Sequence, residues 1–170
     1  MSAQTAGTKV GPVYVVLEGE LLIDAPVEFT WPFVVDYPSW QDYSRVETVS
    51  GTRGEENEVV LLIKEEEGFE FPPYYARIIK LEPNRRFLGK TWPVEVDEQN
   101  DFVGIVDFRV EDAGNGTTRF TYNTLYEFNV RYEDESELEA VRKSQEQNFE
   151  NLTSSVMPKL KELVERRRSE

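Results

Sequence analysis

The chain has 170 residues, of which 39% are hydrophobic and 12% aromatic, enough to build one buried core unaided. Its 33 acidic against 19 basic residues give a net charge of −14, which repels phosphate backbones and anionic lipid surfaces and argues against nucleic acid as a partner. Cysteine and histidine are both absent, so disulfides, thiol nucleophiles, zinc chemistry and Ser-His triads are excluded.

Residues 1–12 are small and polar and lack a basic-then-apolar signal pattern, so they read as a flexible segment before a single domain at 13–168. No apolar run is long enough to span a bilayer, and a cytoplasmic protein without membrane insertion is expected. From Val13 to Ile23, Glu18 and Glu20 share one face while Leu17, Gly19, Leu21 and Ile23 share the other, the pattern of a half-buried strand. Asp24-Ala25-Pro26 then signals a helix start, with the helix running to about Asp36. Pro32 interrupts it, so that helix either kinks there or begins later. Pro38 opens a second short helical turn, with Trp40 and Tyr43 as apolar plugs after it.

Six further strand-like runs follow: 46–52, 59–66, 74–81, 86–92, 102–110 and 117–128. Short turns, such as Gly114-Asn115-Gly116, predict antiparallel hairpins. Alternation places Phe102, Gly104, Val106, Phe108 and Val110 on one face of their strand, and Phe120, Tyr122, Thr124 and Tyr126 on one face of theirs. The glutamates at 55–70 read as a solvated hairpin that discourages edge pairing. From about Ser136 the period becomes helical, with Leu138, Val141, Asn148, Leu152, Val156, Leu160 and Leu163 near one face and Ser136 with Glu139 in a capping-box pattern. Pro158 predicts a late bend, and Arg166 to Arg168 suit a helix C-terminus.

The order of strand, two short helices, six antiparallel strands and long helix resembles the START-like helix-grip superfamily (SRPBCC, birch pollen allergen-like), in its polyketide cyclase/dehydrase-like branch. Three stretches carry the resemblance: Ile23-Asp24-Ala25-Pro26-Val27 with Asp36-Tyr37-Pro38-Ser39-Trp40, Leu81 to Phe87, and Asn148-Phe149-Glu150-Asn151-Leu152. It implies an α+β fold in which a curved seven-stranded antiparallel sheet wraps around the C-terminal helix and encloses a cavity. Trp31-Pro32 departs from the unbroken first helix of such proteins.

The resemblance and the alternation together place Trp40, Leu61, Ile63, Tyr75, Phe102, Gly104, Val106, Tyr122, Thr124, Tyr126, Asn148 and Leu152 in that cavity. The tyrosines offer an apolar body with one hydroxyl each, suited to orienting a carbonyl or phenol. Asn148 either finds a polar partner in a ligand or lies at the edge of the buried stripe, with Phe149 inside instead. Gly104 either relieves strand curvature or makes room for a ligand. Arg77 and Lys80 imply opposite phases for the strand that carries Tyr74 and Tyr75. No inward pair of carboxylates stands out, no residue is assigned to catalysis, and neither metal nor cofactor is expected.

A small hydrophobic or aromatic molecule, lipid-like or polyketide-like, is therefore the expected partner. An aromatase/cyclase or dehydratase-type enzyme is the alternative. A co-chaperone-like interaction module acting through the acidic hairpin is the third reading.

Overall fold

A computed structural model of the chain describes residues 8–66, 69–70, 72–98 and 101–170, the side chains at 66, 69, 70 and 152 excepted. Strand β1 (Lys9–Ile23) leads into helix α1 (Val27–Val35), a 3₁₀ turn (Tyr37–Ser39) and strand β2 (Arg45–Ser50). Then come β3 (Val59–Ile63), the two-residue β4 (Glu65–Glu66) and β5 (Phe69–Glu70), β6 (Tyr74–Glu82), β7 (Arg86–Pro93), β8 (Phe102–Gly114), β9 (Thr117–Tyr132) and helix α2 (Glu135–Ser169). The seven long strands form one antiparallel sheet in the order β1-β9-β8-β7-β6-β3-β2, and β4 pairs with β5 apart from it. This is the expected helix-grip arrangement, with α2 lying along β1 and β9.

The local chemistry differs from expectation at several points. Lys9 to Pro12, assigned to the flexible segment, pair with Asn129 to Tyr132 and belong to β1. Residues 1–7 of that segment lie outside the described residues. The run 59–66 is not one strand, because pairing with β6 ends at Leu62 and residues 65–66 turn to pair with 69–70. Helix α2 is capped by Asp134, whose Oδ1 accepts the Ser136 N–H at 2.7 Å, and Glu139 pairs with Arg142 rather than closing a capping box. Asp24 does not cap α1, whose N-cap is Pro26. Asp24 instead receives Arg168 Nη1 on its carboxylate at 2.8 Å and donates its N–H to Glu165, fixing the end of α2 to the β1–α1 corner.

The main core gathers Ile23, Val34, Trp40, Phe87, Phe108, Val110 and Phe120 beneath Val156, Leu160 and Val164 of α2. Trp40 is 2% exposed; its ring lies 5.9 Å from Phe108 and 6.4 Å from Phe120, and its Nε1–H donates to Phe33 O at 2.9 Å. A buried hydroxyl pair seats α1 on β9: Thr118 Oγ1 donates to Ala25 O at 2.7 Å and meets Thr30 Oγ1 at 3.3 Å. A smaller cluster of Val60, Leu62 and Ala76 lies under β3 and β6.

Trp40→Ala removes the ring on which both short helices and the sheet converge, and is expected to lower stability by about 3–5 kcal/mol in urea unfolding. Val16→Ala, on the outer sheet face at 54% exposure, serves as the contrast and should change stability by less than about 0.5 kcal/mol.

Candidate functional site

A cavity of about 120 Å³ lies between the sheet and the middle of α2. Its wall is mostly apolar, from Leu17, Leu62, Ala76, Phe87, Val106, Phe108, Phe149, Val156 and Met157. Polar groups enter from Tyr37, Gln41, Tyr43, Tyr74, Thr91, Thr124, Tyr126 and Thr153. The lining among the described residues includes Lys64, Arg77 and Lys90 but no carboxylate.

Strand phase decides which residues reach it. On β3, Val60 and Leu62 are buried on the inner face, so Leu61 and Ile63, expected in the cavity, lie on the other face. Because Leu62 pairs with Tyr74 and Leu61 with Tyr75, the same phase carries to β6. Tyr74 therefore lines the cavity, while Tyr75 packs against Trp92 on the outer face with ring centroids 5.7 Å apart. Val106, Thr124 and Tyr126 line it as their alternation requires. Phe102 stands behind the lining, 6.4 Å from Tyr74 and 6.3 Å from Tyr126, and Trp40 lies in the core.

Two glycines explain how tyrosines fit on the inner face. Gly104 pairs with Tyr126 across β8 and β9, and a Cβ there would stand 2.5 Å from Tyr126 Cε1 and collide with Thr91 Oγ1. The missing side chain makes room for this ring and hydroxyl. Gly19 pairs with Tyr122 in the same manner, and a Cβ would meet Tyr122 Cε1 at 2.8 Å. Tyr122 accordingly lies over β1 against the main core and does not line the cavity.

On α2, Asn148 is exposed and Phe149 points in, its ring centroid 4.4 Å from Tyr126. The helical stripe is thus rotated by one residue from the position that would bury an amide. Leu152 falls among the side chains outside the described residues.

The polar groups form a directed set. Tyr43 Oη donates to Gln41 Oε1 at 3.0 Å, so in the hydrogen bond between Tyr43 and Tyr74 it is Tyr74 that donates. The Tyr74 oxygen then keeps its lone pairs for the cavity. Burial raises the Tyr43 and Tyr74 phenols well above the ordinary range. Tyr126 is pushed up to about 12 by burial, partly offset by the nearby Thr91 hydroxyl. That hydroxyl closes no hydrogen bond of good geometry: Thr91 is 7% exposed and its Oγ1 is buried without a partner. At neutral pH these tyrosines are protonated, able to donate or accept hydrogen bonds but not to act as bases.

Thr91 has no hydropathy signal of its own in the β7 segment, where apolar and polar residues do not alternate strictly. Its phase with Phe87 and Gly89 is the signal that places it inward.

Alkaline pH tests the burial of Tyr126. Its phenol titrates near 12 when folded against 10.0 when free, so its contribution is full below pH 10 and is lost as pH rises from 10 through 12. Tyr126→Phe is expected to flatten that decline in thermal melts taken across this window. An unchanged slope would mean that the phenol meets solvent.

Neither a family model nor a curated protein sequence matches the chain. Solved structures do match its shape. The Zhui aromatase/cyclase from Streptomyces sp. R1128 superposes with a TM-score of 0.67 at 16% identity, over 91% of this chain and 95% of that one. Norcoclaurine synthase from Thalictrum flavum gives 0.62 at 14% over 94% and 99%. An uncharacterized protein from Rhizobium leguminosarum gives 0.66 at 15% over 93% and 99%. At such identities the likeness speaks for the fold. With its antiparallel seven-stranded sheet and the long C-terminal helix laid along it, the chain has the helix-grip fold that these proteins share.

Proposed function

We propose that the protein binds a small, mainly apolar molecule, about one ring in size and carrying a hydrogen-bonding oxygen, between the sheet and α2. The observation that carries this reading is Thr91. A hydroxyl buried without a partner costs about 1–3 kcal/mol, and this one belongs to a residue of the apolar cavity's wall, set just beneath its surface beside the Tyr126 phenol. A ligand oxygen supplies the missing partner.

The volume sets the size class. A closed cavity of about 150 Å³ takes benzene, and the space here, about 120 Å³ and open to solvent on one side, is on the scale of a single ring. Norcoclaurine synthase, similar in fold, has a structure in complex with dopamine and hydroxybenzaldehyde, both one-ring molecules bearing hydroxyl groups. That pairing of size and polarity supports the same class of ligand here.

A binding role is favoured over aromatase/cyclase or dehydratase chemistry by the state of the polar groups. Proton transfer at carbon needs an acceptor as well as donors. The buried tyrosines hold their protons and the described lining brings no carboxylate to the site, which leaves the amines of Lys64 and Lys90 as the side chains of the described lining that such chemistry would have to use. The acidic hairpin lies partly outside the described residues and adds nothing to the interaction-module reading.

Thr91→Val separates function from packing, because its two effects have opposite signs. Replacing the unpartnered hydroxyl by a methyl group should raise the unfolding free energy by about 1–2 kcal/mol. The same change should weaken p-cresol binding about tenfold in isothermal titration, and Tyr126→Phe should do likewise. Unaltered p-cresol affinity in both variants would sink the assignment of this polar pair to ligand recognition.

A further inference from the structure

A second space of about 190 Å³ lies beside the first, and among the described residues one side chain belongs to the walls of both: Tyr37. The second space is bounded by Pro32, Val35 and Val60 on its apolar side and by Asp36, Arg53 and Glu58 on its polar side. That polar side is a built feature. The Glu58 carboxylate, 3% exposed, accepts Thr48 Oγ1 at 2.8 Å and the Gly54 N–H at 2.6 Å, and Arg53 bridges it at 3.9 Å to Asp36 at 3.1 Å. Tyr37 also packs against both hydrophobic clusters, the main core and the one under β3 and β6. Its ring meets Phe87 edge-on at 5.5 Å, and it sits on a three-residue 3₁₀ turn.

We infer that Tyr37 is the partition that sets the length of ligand this protein accepts. The inference rests on the binding reading above and gives it a limit. With the ring in place, the first cavity ends at Tyr37 and takes a one-ring molecule. Without it the two spaces, about 120 and 190 Å³, run together with the volume the ring vacates, which brings them into the range of ordinary small-molecule sites. The joined space would take a ring bearing a chain of several carbons, with a polar terminus beside Arg53 and Glu58. Tyr37 is thus a specificity-determining residue, one step removed from the Thr91 and Tyr126 hydroxyls that hold the ligand oxygen.

The test is a length series of phenol, 4-propylphenol and 4-hexylphenol, titrated calorimetrically into the full chain. Wild type is expected to bind 4-hexylphenol at least tenfold more weakly than 4-propylphenol. Tyr37→Ala and the bulkier Tyr37→Leu should each improve 4-hexylphenol at least tenfold over wild type, and Tyr37→Phe, which keeps the ring, should restore the wild-type cut-off. Refilling the second space with Val35→Phe in the Tyr37→Leu background should abolish the gain, an outcome that general loosening of the core would not produce. If Tyr37→Ala fails to fold, as read by circular dichroism, the leucine variant carries the comparison. A wild type that binds none of the three phenols overturns the binding reading and the partition with it. A wild type that binds phenol, with the same cut-off in the leucine variant, overturns the partition alone.

Discussion

The rest of the molecule depends on one stripe of α2. Val156, Leu160 and Val164, spaced four residues apart so that they stack on one helix face, press onto Trp40, Phe108 and Phe120. This contact holds the second half of the helix against the sheet, and the pairing of Asp24 with Glu165 and Arg168 closes its end. The first half has no comparable stripe. Between Glu135 and Asn151 the helix is largely polar, and Phe149 is the side chain it sends to the cavity wall. The cavity lies where these two parts of the helix meet: Phe149, Thr153, Val156 and Met157 face it, and Val156 belongs both to the core stripe and to the cavity wall.

What keeps that space open is the way the inner face handles its aromatic residues. A tyrosine standing upright would occupy the cavity. Opposite Gly19 and Gly104 the rings of Tyr122 and Tyr126 instead approach the neighbouring strand closely, where any side chain would collide with them. The glycines serve close approach rather than unusual backbone conformation. Tyr126 is further held by Phe149, so its hydroxyl is set by packing on two sides.

The polar groups of the cavity run against stability. Burying phenols and a threonine hydroxyl in an apolar space costs free energy unless each finds a partner. Tyr43, Tyr74 and Gln41 satisfy one another in a chain, whereas Thr91 does not. A fold selected only for packing would carry valine at that position. The unmet hydroxyl is a local inconsistency, and it is the observation on which the proposed binding role rests.

By itself the sequence determined the order of the seven sheet strands and two short helices, the antiparallel hairpins, the inward faces of β8 and β9 and the long final helix. Each is written in short-range periodicity, which is set by backbone geometry: Val106, Thr124 and Tyr126 follow from a period of two. It could not determine phase where hydropathy does not alternate. Val59 to Ile63 is apolar on both faces, so only pairing with β6 puts Leu62 inside and Leu61 and Ile63 outside, and the same pairing chooses Tyr74 over Tyr75. Nor could it fix the rotation of α2, where a turn of 100° per residue separates an exposed Asn148 from an inward Phe149. Thr91 gained its meaning only when Gly104 and Tyr126, both distant in the chain, were brought against it. Local patterns specify which elements form. Cross-strand register and helix rotation depend on contacts between residues far apart, and those decide which side chains share the cavity.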